Sequence, residues 1–369
     1  MAGMRHEELG RAWRDARGPA AVRHLDHAAC SRPSLAVLDA VAQHARHEAE
    51  TGGYIAQALA DPVLQAGRTA LAALTGLTGP DDVAFTESAQ QALRILLEVW
   101  PLPAGSTVMT TRADYGPGLM MLRVRGYDVR AVPGDDLPDA IRREPPALVH
   151  VTHLASQHSA VAPLPEIVAA AQEVGVPLWV DAAQSLGHVE VPGGAAVVYG
   201  TSRKWLCGPR GVGFVGVHPD WADRLRPAVT YPFPMPPVHD ALESQEAHVA
   251  GRVGLSVALG ELAALGVADV RAALADAGRR TRTALDGVGG WTVVGPDAPV
   301  AIVSLRAPDG IDVPTVRARL LQEHAILTTI AGPDKAPEDT GETFLRVSPH
   351  VDVTDDDLDA VAKALVALT

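Results

Sequence analysis

Short apolar runs alternate with helix-like segments from about residue 80 onward, and this alternation constrains the fold more than any other feature. The runs VAFT (83–86), STVMTT (106–111), ALVHVT (147–152) and PLWVDAA (177–183) are typical of strands, and apolar residues recur at helical spacing between them. Strands separated by helices pair in parallel, because each crossover returns the chain to the same edge of the sheet. The pattern predicts an α/β fold with a mostly parallel sheet flanked by helices.

A second, smaller α/β unit is predicted after a proline-rich, polar crossover segment at 220–250. A helical stretch at 251–287 precedes the runs WTVV, VAIVSL, AILTTI and FLRVS, with a further helix near 312–324. The last helix is predicted to begin after Thr354, a plausible N-cap followed by acidic residues that suit the helix dipole. We therefore predict an N-terminal segment at 1–30, a large domain at 31–255 and a small C-terminal domain at 256–369.

Charge and cysteine content exclude several classes of function. A formal net charge of −13 argues against a nucleic-acid backbone or an anionic membrane as the main partner, and favours a small-molecule substrate. The N-terminal stretch MAGMRHEELGRAWRDARG lacks the apolar core of a secretory signal, and no apolar run reaches membrane-spanning length. We expect a cytoplasmic protein. Two distant cysteines, Cys30 and Cys207, provide neither a disulfide framework nor a zinc-type pair, so we expect no metal.

Polar side chains follow the predicted strands at their carboxyl ends, where ligands bind in open parallel sheets. They are Ser88 and Gln90, with Ala89 between them at a helix start; Asp114 and Tyr115; Thr152, His153 and Ser156; Asp181 and Gln184; and Thr201, Ser202 and Lys204. Each has an ordinary alternative, since aspartates and serines often cap helices and lysines are usually solvated. The combination is more specific: WVDAAQ is followed by SRKW and then GPRGVGF, with Lys204 standing 23 residues after Asp181.

With these motifs the chain resembles the class V, fold-type I enzymes that depend on pyridoxal 5′-phosphate. The resemblance runs nearly end to end through HLDHAA (24–29), VAFTESAQQAL, WVDAAQ, TSRKWLCGPRGVGF and FLRVSPHVDVTDDDLD (344–359). The segments AACSRPS, AQHARHEAETGGY and RVSPHV are in addition similar to the hercynylcysteine sulfoxide lyases of actinobacterial ergothioneine biosynthesis. The resemblance to the class V enzymes implies that residues 31–255 bind the cofactor. It also implies that residues 1–30 contribute to the active site and to the small domain.

The resemblance assigns the chemical steps to a few residues. Lys204 would bind the cofactor aldehyde covalently and move the substrate Cα proton, which requires a neutral amine. Asp181 would pair with the pyridinium nitrogen and keep it protonated. Gln184 would reach the phenolic oxygen, Tyr115 would stack on the ring, and Ser156 would lie near the cofactor oxygen.

The phosphate of the cofactor needs an anion site. The resemblance places it at the helix that starts with Ser88, Ala89 and Gln90, where free backbone N–H groups and the helix dipole favour an anion. Thr201 and Arg203 would add phosphate contacts. Relatives usually carry histidine directly before the lysine, so Arg203 departs from the family pattern.

Three further residues are predicted to bind the substrate. Arg346, in LRVSPH, would hold the carboxylate of an amino acid through two parallel hydrogen bonds. Tyr54, in the GGY segment, would form an aromatic wall for a trimethylammonium group, with a core tyrosine as the alternative. Ala29, at the end of HLDHAA, would line the substrate pocket.

The absence of a cysteine thiol at one position distinguishes a β-lyase from a cysteine desulfurase. A cysteine desulfurase carries a nucleophilic cysteine on the loop before the carboxylate-binding arginine, and residues 331–346 contain none. We interpret Cys30 and Cys207 as packing residues, with a free reactive thiol as the alternative. The absence of this thiol disfavours a desulfurase and is compatible with a β-lyase. The resemblance to the hercynylcysteine sulfoxide lyases implies a homodimeric β-lyase that cleaves S-(hercyn-2-yl)-L-cysteine S-oxide to ergothioneine, through a sulfenic intermediate, with pyruvate and ammonia.

Other functions of the same fold remain as alternatives. A class V aminotransferase or epimerase, or a general cysteine S-conjugate lyase, would use the same cofactor residues. A non-catalytic regulatory or assembly protein would retain the fold without turnover. The joint presence of Lys204, Asp181 and Arg346 argues against that last alternative.

Overall fold

The computed structural model describes residues 6–226, 237–244 and 246–369, so the predicted crossover segment at 220–250 lies partly outside the described residues. The α-helices are α1 His6–Asp15, α2 Leu35–Thr51, α3 Gly53–Thr75, α4 Ala89–Val99, α5 Gly116–Val124, α6 Leu137–Arg143, α7 Leu164–Val174, α8 Pro219–Ala222, α9 Val238–Leu242, α10 Val249–Leu265, α11 Val267–Leu285, α12 Val313–His324 and α13 Asp355–Leu368. The strands are β1 Arg23–His24, β2 Val83–Thr86, β3 Thr107–Thr111, β4 Asp128–Val132, β5 Leu148–Thr152, β6 Leu178–Asp181, β7 Val197–Thr201, β8 Gly213–Val217, β9 Thr292–Val294, β10 Val303–Arg306, β11 Ile326–Leu327, β12 Thr329–Ala331 and β13 Phe344–Val347.

The large sheet has seven strands in the order β2-β8-β7-β6-β5-β3-β4. The pairs among β7, β6, β5, β3 and β4 are parallel, and β8 is antiparallel to both of its neighbours. Every residue of β5, β6 and β7 is buried, because helices cover both faces. Along β6, Trp179 packs on one face while Leu178 and Val180 pack on the other. The predicted mostly parallel α/β sheet is confirmed.

Two strands of this sheet, β4 and β8, lack the continuous apolar run that predicts a buried strand from the sequence. β4 is an edge strand whose residues are half-buried or exposed, so it carries no apolar run. β8 reads GFVGV, and its first glycine is required by close packing. A Cβ on Gly213 would lie 2.8 Å from the Cα of Ser88.

The C-terminal part of the chain forms a four-stranded antiparallel sheet in the order β12-β13-β10-β9. The run AILTTI, predicted as one strand, is instead two short strands in different sheets. The chain changes partner at the buried Thr328, so that β11 pairs with β1 and β12 pairs with β13. The β1–β11 pair ties the N-terminal segment to this part of the molecule.

The last helix has the predicted N-terminal cap. The Thr354 hydroxyl accepts a hydrogen bond from the Asp357 backbone N–H at 3.2 Å, and the Asp357 carboxylate accepts one from the Thr354 N–H at 3.1 Å. This reciprocal pair satisfies two N–H groups that have no partner inside the helix. The position of the cap was therefore correctly predicted.

In the described ranges, no single helix is both long and apolar enough to cross a membrane. Helices α10 and α11 reach that length and composition only together, and they meet at a bend of 85°.

Candidate active site

A crevice opens at the carboxyl ends of the parallel strands, as the topology requires. It encloses about 650 Å³ of space outside protein atoms, part of it open to solvent. Its lining contains all ten residues predicted to bind the cofactor: Ser88, Ala89, Gln90, Tyr115, Ser156, Asp181, Gln184, Thr201, Arg203 and Lys204. Leu93, Gly118, Thr152, Ala183 and Tyr199 complete it. Residues from five separate loops therefore meet in one place.

Lys204 and Asp181 form the charged centre of the crevice. Burial, with a smaller contribution from the charge of Arg203, lowers the pKa of Lys204 to about 7, although the negative charge of Asp181 acts in the opposite direction. Burial raises the pKa of Asp181, and Lys204 offsets part of that rise. One Asp181 oxygen accepts the Ala183 N–H at 2.8 Å. A lysine that sheds its proton near neutral pH is a competent nucleophile toward an aldehyde.

The start of α4 supplies an anion site at one side of the crevice. The Ser88 hydroxyl caps the helix by accepting the Gln91 N–H at 3.1 Å. The N–H groups of Ala89 and Gln90 belong to the first turn, where the helix itself provides no acceptor. Both residues line the crevice. Exposed first-turn N–H groups together with the helix dipole bind phosphate well.

Gln184 links the crevice to the N-terminal segment. Its side-chain amide donates to the Ala28 carbonyl at 2.9 Å and accepts the Trp205 indole N–H at 2.9 Å. The same amide nitrogen also donates to the Ser156 hydroxyl oxygen at 3.5 Å, the long limit for a hydrogen bond. Because this contact is weak, the hydrogen involved can be donated to an oxygen of a bound ligand instead. Ala29 follows directly after this contact and is half-buried, outside the residues that line the crevice.

Arg346 lies behind Ser156 and is 2% exposed. Its Nη1 donates to the Ser156 carbonyl at 2.6 Å, and its Nη2 stands 3.6 Å from an Asp26 oxygen. Within the described residues its Nε has no hydrogen-bond partner. Burial lowers the pKa of Arg346, although Asp26 opposes the shift. Arg346 is not among the residues that line the crevice, and its Nη2 faces Asp26, so the unpartnered Nε is the donor of this guanidinium that an incoming carboxylate can use.

A buried chain of hydrogen bonds beneath the crevice was not predicted from the sequence. His150 Nδ1 lies 2.9 Å from an Asp114 oxygen, and His150 Nε2 lies 2.7 Å from the Tyr199 hydroxyl. Burial opposes a charge on His150, yet Asp114 outweighs it and raises the pKa of the imidazole. The charge on His150 in turn offsets part of the rise that burial causes in the pKa of Asp181. The one available signal was a histidine inside the buried run ALVHVT.

Tyr54 and the two cysteines do not line the crevice. Tyr54, at the start of α3, is 76% exposed and lines a different cavity, with Arg68 and Arg252; it does not line the crevice of its own chain. Cys207 is buried, and burial raises the pKa of its thiol to about 11, so the thiol is neutral and suits packing. Cys30 is half-buried.

The residues present fit pyridoxal phosphate. A deeply buried carboxylate such as Asp181 is stable as an anion only beside a cation, and a pyridinium nitrogen would provide one. The first turn of α4 suits a phosphate, and Lys204 suits an aldehyde. An anion site, a carboxylate and an amine thus line one crevice.

The pKa of Lys204 gives a pH dependence for cofactor capture. The amine is neutral above about pH 7, so the rate at which the apoprotein captures pyridoxal phosphate should rise from low pH and level off above about pH 7–8. An ordinary lysine would still be gaining reactivity near pH 10. Stopped-flow absorbance across this range measures the rate. A profile that rises steadily to pH 10 would contradict the assigned environment of Lys204.

Comparisons with known proteins agree with this geometry. The sequence profile of the family "Aminotransferase class-V" matches residues 23–361. A Mycobacterium tuberculosis protein named "Probable hercynylcysteine sulfoxide lyase" is 48% identical, over 98% of this chain and 94% of its own. The solved cysteine desulfurase of Thermococcus onnurineus superposes with a TM-score of 0.84 at 20% identity, covering 100% of this chain and 99% of its own.

A further solved structure, of the cystine C-S lyase C-DES with its product cysteine persulfide, gives a TM-score of 0.83 at 18% identity. It covers 95% of this chain and 98% of its own. Identities this low support the shared fold, whereas the family match and the 48% identical relative extend over nearly the whole sequence. The chain therefore belongs to the aminotransferase class-V family and is a pyridoxal-phosphate-dependent enzyme.

Proposed function

We propose that this protein is a carbon–sulfur β-lyase that cleaves S-(hercyn-2-yl)-L-cysteine S-oxide in ergothioneine biosynthesis. The observation that carries the proposal is the pairing of the Lys204–Asp181 crevice with near full-length 48% identity to a protein named for this reaction. In the same proposal the ten crevice residues hold the cofactor, and Arg346 holds the substrate carboxylate.

The residues of the chain account for the steps of a β-elimination. Arg346 orients the amino acid through its carboxylate, and Lys204 removes the Cα proton. When bound, the cofactor supplies an electron-accepting ring, which Asp181 keeps protonated. The Cβ–S bond then breaks, the sulfur fragment leaves as a sulfenate, and the remaining three carbons are hydrolysed to pyruvate and ammonia. Ergothioneine forms when an external thiol reduces the sulfenic acid by two electrons.

The chain has no cysteine nucleophile in the loop where a cysteine desulfurase carries one. The segment between β12 and β13 contains no cysteine, and the buried Cys207 keeps its proton because its pKa is raised to about 11. A β-elimination requires no protein thiol. The residues therefore favour the lyase over the desulfurase.

The decisive assay offers the holoenzyme the hercynyl sulfoxide without any added keto acid. We expect stoichiometric pyruvate and ammonia, measured by coupled absorbance. A product that appears only after a keto acid is added would identify an aminotransferase instead. Failure to turn over any amino acid would favour the non-catalytic alternative.

Exposed apolar residues on α2 and α3 support the predicted homodimer. They are Leu35 and Leu38 near the start of α2 and Tyr54, Ile55 and Leu59 near the start of α3, each at least half exposed. Large exposed apolar side chains that lie close together, as Ile55 and Leu59 do one turn apart on α3, often mark a protein interface. Sedimentation equilibrium should give about twice the chain mass of 38.6 kDa, and a 38.6 kDa species at every concentration would contradict the dimer. The cytoplasmic location stays a prediction.

A further inference from the structure

The loop between β12 and β13 (residues 332–343, the β12–β13 loop) reaches across to the large sheet and is held there. The Gln157 side chain donates to the carbonyls of Gly332 and Glu342, at 3.2 and 3.1 Å. His158 Nε2 lies 2.5 Å from an Asp339 oxygen. Both contacts come from the segment that follows β5, next to Ser156 of the crevice. The loop is thus fixed against the side of the active site.

The same loop touches the start of α5, directly after Tyr115. A Cβ on Gly116 would lie 2.2 Å from the Asp334 carbonyl oxygen, so this close approach requires glycine. Further along α5, Arg123 forms an ion pair with Glu338 at 2.5 Å. These contacts place the loop beside Tyr115, one of the residues that line the crevice.

Lys335, in this loop, lies close to Tyr115, which lines the crevice, although Lys335 is not itself among the lining residues. Its ammonium nitrogen lies 5.9 Å from the centre of the Tyr115 ring, and the side chain is 28% exposed. Its charge is one of those that lower the pKa of Lys204, so the two ammonium groups act on each other. Its paired carboxylate is that of Asp334, at 2.9 Å and 67% exposed. A pair this exposed to water holds the lysine weakly.

Among the cationic groups around the crevice, Lys335 has no role in the chemistry described above. Lys204 captures the aldehyde and moves a proton, Arg346 suits the substrate carboxylate, and Arg203 is assigned to the phosphate. In addition, the chain contains only three lysines, and the other 28 of its 31 Lys and Arg residues are arginines. A lysine close to Tyr115, at the side of the crevice, is therefore unusual in a chain whose cationic residues are nearly all arginines.

The chemistry of a lysine indicates what it binds. Arginine presents a planar fork that matches the two oxygens of a carboxylate, whereas lysine is a compact charge with three donors that suits a single oxygen. A sulfoxide carries one such oxygen, bonded to the sulfur next to the bond that breaks. That oxygen takes up negative charge as the sulfenate leaves, and a cation aimed at developing charge accelerates the step.

We propose that Lys335 binds the oxygen on the substrate sulfur and stabilises the departing sulfenate, and so determines the preference for sulfoxides over thioethers. This inference rests on the proposed lyase function. In the step, the Cα proton goes to Lys204, its electron pair forms the Cα–Cβ double bond, and the Cβ–S pair leaves on the sulfur–oxygen group. Lys335 donates a hydrogen bond to that oxygen. Solvent then protonates the sulfenate, and no oxidant or reductant is consumed.

The test compares two substrates that differ only in the sulfur-bound oxygen, S-methyl-L-cysteine S-oxide and S-methyl-L-cysteine. Lys335→Gln should lower kcat/KM for the sulfoxide by roughly 10- to 100-fold, as for the loss of a charged hydrogen bond. It should leave the thioether value unchanged. Lys335→Arg should retain most of the preference. The control Lys363→Gln removes the charge of a lysine that is exposed on α13, and should change neither value.

A binding measurement accompanies the kinetics. Methanesulfinate resembles the leaving sulfenate, and calorimetry should show that Lys335→Gln binds it roughly 10-fold more weakly than the wild type does, with cofactor absorbance unchanged. Equal losses of kcat/KM on both substrates would overturn the inference. So would a wild-type sulfoxide preference that survives in Lys335→Gln. A wild-type enzyme without that preference would contradict the proposed function as well.

Discussion

Replacing Lys204 by alanine is expected to abolish the visible absorption of the bound cofactor and to lower turnover by at least about 10⁴-fold. Proton transfer by a positioned side chain alone contributes about 10²- to 10⁴-fold, and the variant also loses covalent attachment of the cofactor. Absorbance spectra and pyruvate release measure the two effects separately. The crevice should still bind the phosphate of the cofactor, because the first turn of α4 does not depend on this lysine.

The matched control for this variant is Lys363→Ala. Lys363 is exposed on α13, and its removal should change neither the spectrum nor the rate. If Lys204→Ala kept the visible absorption, another amine would hold the cofactor, and the assignment of the site would be wrong.

Asp181→Asn is expected to retain the cofactor while lowering kcat by about 10²-fold or more, the scale seen when one preorganised electrostatic group is removed. Asparagine keeps the shape of the side chain but cannot hold the ring nitrogen protonated. The carboxylate also raises the pKa of Lys204. Its loss should therefore shift the pH profile of cofactor capture to lower pH.

These two readouts separate Asp181 from a structural role. A misfolded variant would lose cofactor binding and activity together, and its capture profile would show no defined midpoint. A correctly folded variant should show normal circular dichroism, a lower midpoint for capture and slow turnover. Unchanged turnover in Asp181→Asn would contradict the pairing of this carboxylate with the cofactor.

The sequence predicts the crevice well because its residues follow strand ends. Apolar runs locate β2, β3, β5, β6 and β7, and the parallel topology brings their carboxyl ends together. A polar residue just past such a run, such as Asp181, is therefore placed by topology alone. The strands that were not predicted either lie at an edge, as β4 does, or contain glycines for close packing, as β8 does.

Contacts that depend on tertiary packing are beyond such reasoning. The Asp114–His150–Tyr199 chain joins three strands or loops that lie apart in sequence, and no spacing rule connects them. The reach of the β12–β13 loop to Tyr115 depends on Gly116, which the sequence shows only as a glycine at a helix start. Tyr54 illustrates the converse, since a suitable aromatic residue lies outside the crevice of its own chain.

The central claim, that Lys204 is the amine that holds the cofactor, has a direct test because the chain contains three lysines. Borohydride makes the covalent link between lysine and cofactor permanent, and peptide mass spectrometry then locates the added mass. We expect the label on the peptide that contains Lys204, with Lys335 and Lys363 unmodified. A label on either of those two lysines, or no label on a protein that binds the cofactor, would contradict the account.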